Sequence, residues 1–431
     1  MRVAMESLNV KIIHSMHTAE QNSSATRQKF FEYALITGIC ILHILYFLLS
    51  IRRGEPSLGV DGEVYRDLAQ AYRASESLFG ERARNIFWTP WYVVLAAVGA
   101  HRVGVFILQL TAFGLTLLAI RALTRLLGMP PLLRIAAIAG YGLYWPTFDY
   151  VVFYQYENFL GFVLASTAVL FAASREELER SWWRWLAAGA VGGIGVFAHT
   201  KAAGVIWPAI LAMLIIARAW RALVRALLVY VPLLVAPTLW WAWRNYKLFG
   251  KWVLGSTSIG YNLFVGFNSV ATGMYLPQPP PPPADQALGV ALRFISVHPW
   301  RSLELFVIKL IRFWEISPTD QFGPTWLIWQ EWILMPLGLC GFVYAFIYLL
   351  RRIREVGLQN WSSGEVALAN CILLVAYYVL FHAVFYNTLP RFRLPAMPLI
   401  IVLGMWLLSC AEWRRSEKQP KARETSQRTE S

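Results

Sequence analysis

Carboxylates and cations stand in this chain where apolar runs end, and together they suit a proton transfer beside an anionic group. Asp61 and Glu63 open DGEVYRDLAQAY (61–72), shortly after the first apolar run. A carboxylate at the mouth of a membrane segment can take a proton from an attacking hydroxyl or amine, provided that it is held in place. Tyr65, Leu68, Ala69 and Tyr72 repeat at helical spacing behind it and would supply that hold. Asp61 also suits the N-cap of a helix beginning near Glu63, and the two roles are compatible. Glu157, in YQYENFLGF (154–162), is a second acid near the outer end of a later apolar run. It reads either as a functional intramembrane acid or as a water-line glutamate bonded to Tyr154 and Tyr156. Asp149, shortly before it, reads as a loop residue.

The cations form three sets: His199 and Lys201 in GVFAHTKAAG, Arg244 and Lys247 in WWAWRNYKLFGK, and His382, Arg391 and Arg393 in FHAVFYNTLPRFRLP. Any one of them could be a snorkelling residue that reaches lipid headgroups. Three sets at the same outer ends suit an anionic group, most simply a phosphate, which guanidinium forks bind through paired hydrogen bonds.

The elements that must position these groups are membrane helices. Of 431 residues 57% are hydrophobic and 15% aromatic, twenty of them Trp, which is not a soluble globular composition. The net charge of +14 comes in short basic clusters between apolar runs, as topology determinants do, so a nucleic-acid partner is not implied. Cys40, Cys340, Cys371 and Cys410 all lie inside apolar runs, without the spacing of a disulfide framework or a zinc site. Ten spans are expected: 30–51, 103–121, 132–148, 151–173, 185–203, 204–217, 226–243, 326–350, 365–386 and 395–412. Threading them from a cytoplasmic N-terminus puts both chain ends inside. The clusters Arg121/Arg125/Arg134, Arg175/Arg180/Arg184, Arg218/Arg221/Arg225 and Arg351/Arg352/Arg354 then share the inner face. The expected organisation is a tail over 1–29, a transmembrane domain over 30–412 with outer loops at about 52–102 and 244–325, and a basic tail over 413–431.

On the outer face, 87–100 (FWTPWYVVLAAVGA) is too short to span and is expected to lie in the interface. The run Pro279–Pro283 must be extended polyproline II. HPWRSLELFVIKLIRFWEISP (298–318) reads as an amphipathic helix with Lys309 and Arg312 on its polar face. No metalloprotease, serine-hydrolase, P-loop or dinucleotide motif occurs.

In ordered motifs across most of 30–412 the chain resembles the GT-C class of polytopic glycosyltransferases that use polyprenyl-phosphate sugars. Within it, the likeness is to the bacterial protein-mannosyltransferase and aminoarabinose-transferase group, family thirty-nine. The residues that carry it are Asp61, Tyr65 and Ala69 in an Asp-x-x-x-Tyr-x-x-x-Ala pattern, RNYKLFGKWVLGSTSIGYNLFVGFNSVATGMY (244–275), HPWRSLELFVIKLIRFW and RFRLPAMPL. The resemblance implies an all-α membrane fold of about ten helices with juxtamembrane helices. Taken with the residues above, the expected substrate-binding set is Glu63, Tyr65, Glu157, Lys201, Arg244, Asn262, His382, Arg391 and Arg393. The resemblance itself carries over Asp61 as general base, Glu157 as the acid that opens a later span, and Arg391 as the arginine before the Leu-Pro. It further implies a polyprenyl-phosphate sugar as donor and a lipid, glycan or protein as acceptor, in a bacterial inner membrane with the site facing the periplasm. It names no definite cofactor, and a divalent cation is compatible with it. WTPWY (88–92) stands where many members have a Pro-Gly-Tyr-Pro-like run, Gly62 separates the two acids, and TSIGYN (257–262) replaces a common Gly-Gly step, so sugar and acceptor do not carry over. The rival readings are a transporter of a lipid-linked sugar, which favours charges at mid-membrane, and a non-catalytic scaffold.

Overall fold

The computed structural model describes residues 2–53, 61–74, 89–272, 282–283, 286–316, 329–385 and 390–418, with the backbone alone for 2–25, 390 and 413–418. Most of the polyproline run and the tail from 419 onward lie outside the described residues. Among those described there is no strand. The first long helix, α1 (Arg2–Arg52), also takes in the segment expected as a tail. After α2 (Gly62–Arg73) and the short α3 (Trp91–Ala97), α4 (Arg102–Leu126) returns antiparallel to α1. Next come α5 (Pro131–Gly142), α6 (Trp145–Val152), α7 (Glu157–Leu170), α8 (Arg175–Arg180) and α9 (Trp182–Ala198). A 3-10 turn over Thr200–Val205 leads into α10 (Ile206–Ile215), followed by α11 (Trp220–Phe249), α12 (Ser258–Gly266), α13 (Ala287–Val297) and α14 (Pro299–Trp314). The chain ends with α15 (Trp329–Val356), α16 (Ser363–Phe385), a second 3-10 segment (Pro390–Ala396) and α17 (Met397–Lys418).

Among the described residues six helical segments are long and apolar enough to cross a membrane: Thr26–Arg52, Arg102–Leu126, Trp220–Phe249, Trp329–Val356, Ser363–Phe385 and Arg391–Glu412. The chain is a multi-pass, all-helical membrane protein. The other four expected spans are shorter helices. The segment 132–148 is split at Leu143–Tyr144, which places Pro146 in the first turn of α6, where its missing N–H is harmless. The segment expected to begin at 151 starts with the end of α6, unwinds over 153–156 and is helical again from Glu157. The carbonyls of the unwound stretch between α6 and α7 are satisfied from other helices: Gln109 Nε2 donates to Phe153 O (3.3 Å) and to Gln155 O, and Trp91 Nε1 donates to Tyr154 O (2.7 Å). Non-helical backbone at membrane depth persists only when it is satisfied in this way.

Close helix pairs use small residues. A Cβ on Gly193 of α9 would lie 2.1 Å from Leu233 O of α11, and one on Gly341 of α15 would lie 2.3 Å from Leu403 O of α17. Only glycine permits such approaches, which is how membrane helices gain dispersion contact without a hydrophobic driving force.

Three expectations are corrected. Segment 91–97 does not present its apolar side chains to lipid, because Trp91, Tyr92 and Leu95 are fully buried where α3 packs against α2 and α9. Asp149 lies in α6, where it accepts from Tyr46 Oη (2.6 Å). Helix α14 is amphipathic, but its polarity is the reverse of that expected for Lys309. Ser302, Leu305, Lys309 and Phe313 face inward, while Trp300, Leu303, Val307 and Ile311 are exposed. Of the two cations expected on its polar face, Lys309 is buried while Arg312 stays partly exposed beside Glu315. Lys309 Nζ sits 3.5 Å from the centre of the Phe267 ring.

Candidate functional site

The basic clusters and the candidate site residues lie at opposite ends of the bundle. Arg352 of α15 meets Glu365 of α16, Ser363 meets Glu177 of α8, and Gly364 abuts Leu126 at the end of α4. That end therefore carries Arg121, Arg125, Arg175, Arg180 and the Arg351–Arg354 group. The other end holds the start of α2, the start of α7, the 3-10 turn after α9 and the segment before α17.

At this second end, Arg391 Nη2 lies 3.1 Å from Asp61 Oδ2. Asp61 occupies the N-cap position of α2, yet its side chain makes no capping hydrogen bond. The carboxylate is turned to the guanidinium instead and does not cap the helix. Behind it, buried Tyr65 reaches Thr89 (3.2 Å) and sets its ring edge-on to Tyr156 at 6.2 Å.

Glu157 is the first residue of α7, made so by the unwound stretch before it, and is 1% exposed. Its Oε2 is buried without a hydrogen-bond partner. Its attractive charge neighbours are Arg391 and Lys201, and Asp61 repels it. Lys201 is buried as well, donating to Tyr156 Oη (3.2 Å) with Nζ 3.7 Å from the centre of the Phe392 ring. It is aimed there by His199, where the chain becomes extended between α9 and the 3-10 turn, and whose Nδ1 accepts from the Lys201 N–H (3.0 Å). The structure thus gathers Asp61, Glu157, Lys201 and Arg391, with two acids facing two cations in a largely water-excluded group. His382 borders it, its ring stacked on Phe392 at 5.5 Å and its Nδ1 2.7 Å from Tyr378 O.

Other expected site residues lie elsewhere. Arg393 is paired with buried Glu331 of α15 and also donates to Phe313 O (3.4 Å) and Glu315 O. Glu331 in turn accepts from Tyr144 Oη (2.7 Å), so Arg393 ties α14 and α15 to the α5–α6 break. Arg244 is fully buried in a neighbouring aromatic pocket, 4.5 Å from the Trp241 ring and 6.0 Å from the Tyr72 ring. Burial pushes the Tyr72 and Tyr92 phenols up, and Arg244 opposes that shift. Glu63 is exposed, and Asn262 donates back to Ser258 O (2.9 Å) within α12. Sequence reasoning missed Tyr150, a buried phenol in the field of Glu157, Arg391 and Asp61. The only signal for it is the density of tyrosines over 144–156.

Among the described residues no group of three or more His, Cys, Asp or Glu gathers as a metal site. The two acids of the cluster already face an ammonium and a guanidinium, a donor set that does not suit a divalent cation.

No family model and no curated protein matches this chain. The chain is similar to the solved structure of an Archaeoglobus fulgidus oligosaccharyltransferase tethered to an acceptor peptide, at 14% identity and a TM-score of 0.46. The match covers 89% of this chain and 50% of that protein, so the chain spans half of its length.

Proposed function

We propose that this protein is a membrane glycosyltransferase of the GT-C type, in a bacterial inner membrane, that moves a sugar from a polyprenyl-phosphate donor to an acceptor hydroxyl or amine on the periplasmic face. The observation that carries the reading is the Asp61–Arg391 contact beside Lys201 and Glu157, at the end of the bundle away from the basic clusters. Arg391 and Lys201 hold the donor phosphate, and the isoprenoid tail lies against the apolar helix faces. Phosphate and Asp61 then compete for one guanidinium, so donor binding releases Asp61 as the acceptor arrives. Asp61 takes the acceptor proton while the acceptor atom bonds to the anomeric carbon from the face opposite the phosphate. The bond from that carbon to the phosphate oxygen breaks with its electron pair, giving inversion and free polyprenyl phosphate. This leaving group is already an anion, so it needs cations more than a proton donor. One base therefore suffices, where a glycosidase needs two carboxyl groups. Glu157, with one oxygen unsatisfied and buried, accepts from a sugar or acceptor hydroxyl.

The gathering of charge at one end of the bundle favours this reading over transport. Incubating the purified protein with a panel of polyprenyl-phosphate sugars and measuring release of polyprenyl phosphate tests it. Release that depends on Asp61 is the expected result, and no release with any sugar or acceptor would remove the assignment.

A further inference from the structure

At the opposite end of the bundle, Glu32 of α1 is fully buried against three arginines from two other helices: Arg121 (2.8 Å), Arg125 (2.7 Å) and Arg134 (3.2 Å). Topology alone asks for cations at this face, but not for their convergence. Three guanidiniums against one carboxylate leave an excess of two positive charges. They also hold more N–H donors than one carboxylate can accept, and Arg125 Nε is buried without a hydrogen-bond partner. Arg134 is repelled by Arg125 and Arg121, and Glu32 is the carboxylate that attracts it. It also lies in the first turn of α5, where the helix dipole disfavours a cation. An arrangement so short of negative charge in a partly desolvated place calls for a second anion.

We infer that this cluster binds the phosphate of an anionic phospholipid, in the leaflet opposite that of Asp61. The cluster is open on one side, with the Arg125 side chain 27% exposed. Exposed apolar side chains adjoin its members in sequence: Phe30 and Phe31 before Glu32, Leu126 after Arg125, and Leu132 two residues before Arg134. Acyl chains would cover those side chains while the headgroup phosphate met the guanidiniums, and a free phosphate ion would leave them bare. Glu32 then acts as the internal counter-ion that keeps the arginines together when no lipid is bound. The site is separate from the Asp61 cluster and does not depend on how that cluster is used.

Native mass spectrometry of the full-length protein in detergent tests this, with phosphatidylglycerol, phosphatidylcholine and inorganic phosphate in separate arms. The expected result is one retained phosphatidylglycerol, with little retention of the other two. Arg125→Ala and Arg134→Gln should lower that retention by about tenfold or more, the loss of a charge-assisted contact. Glu32→Gln removes the competing anion and should raise it, whereas a purely structural ion cluster would show no such gain. Asp61→Asn should leave it unchanged. Thermal unfolding with and without phosphatidylglycerol keeps the test valid for weakened variants, because lipid should stabilise the wild type and not Arg125→Ala. Equal retention by wild type and Arg125→Ala, or retention of inorganic phosphate as strong as that of the lipid, overturns the inference.

Discussion

Asp61 and Arg391 come from opposite ends of the chain and meet at 3.1 Å, one at the start of α2 and the other just before α17. Each is the nearest thing to a reactive group that its own segment offers. Pairing them restrains both, because a carboxylate neutralised by a guanidinium is a weak proton acceptor and an occupied guanidinium is a weak phosphate site. Under the proposed function a donor phosphate would break the restraint by taking the guanidinium, which would couple donor arrival to release of the base. The alternative is a purely architectural ion pair, and substitution separates the two.

Asp61→Asn removes the proton acceptor and the internal competitor for Arg391 together. Turnover should fall by about 10²–10⁴, while donor binding stays equal or becomes tighter. Stability should change little, since the side chain makes no capping bond and the pair is partly solvated. Donor-binding titrations alongside single-turnover assays read both effects. Near-normal transfer by the Asn variant would make Asp61 structural.

The two arginines of RFRLP should part company. Arg391→Ala should weaken binding of a polyprenyl-phosphate sugar by roughly 2–5 kcal/mol, with Lys restoring only part of it. Its unfolding temperature should fall less than that of the Arg393 variant, because Lys201 still faces Glu157 and Asp61 is partly exposed. Arg393→Ala leaves Glu331 buried without its cation, and such a loss costs roughly 3–5 kcal/mol of stability. Thermal unfolding and donor titration on the same two variants should give opposite patterns, and matching patterns would mean that the two arginines share one role.

How far the sequence reaches is visible in the same segment. Six of the ten expected spans and the basic clusters were legible because apolar length and charge placement are properties of the chain itself. That Asp61, Glu157, Lys201 and Arg391 occupy one end followed from threading. The separate fates of Arg391 and Arg393 did not follow. They depend on the 3-10 geometry of Pro390–Ala396, which sends residues two apart to different sides. The unwinding ahead of Glu157 was equally hidden. A run of apolar and aromatic residues reads the same whether or not Gln109 and Trp91 hold its carbonyls. For α14 the periodicity was plain, but periodicity does not say which stripe faces lipid.

The threading itself is open to labelling. In a background without the four native cysteines, Gln286→Cys before α13 and Glu176→Cys in α8 are both on exposed positions. A membrane-impermeant maleimide should reach the first in intact cells and the second only after permeabilisation. Labelling of both from the same side would mean that one of the shorter helical passes does not cross, and the Asp61 cluster would lose its assigned face.

Lys309 offers a test by pH. Burial in α14, against the Phe267 ring, pushes its ammonium from the ordinary lysine value of 10.5 down to about 7. The unfolded chain then binds more protons than the folded one between these two values, so stability should rise as pH increases from about 7 toward 10.5. Below about 7 both states carry the charge and this contribution is flat. Lys309→Met keeps the stem and removes the titration. The variant should be more stable than wild type near and below neutral pH, and the advantage should shrink as the medium becomes alkaline. Thermal unfolding of both proteins in one detergent across this range measures the difference. A gap that does not vary with pH would mean that Lys309 keeps its charge in the folded state, held by an anion that its neighbours do not supply.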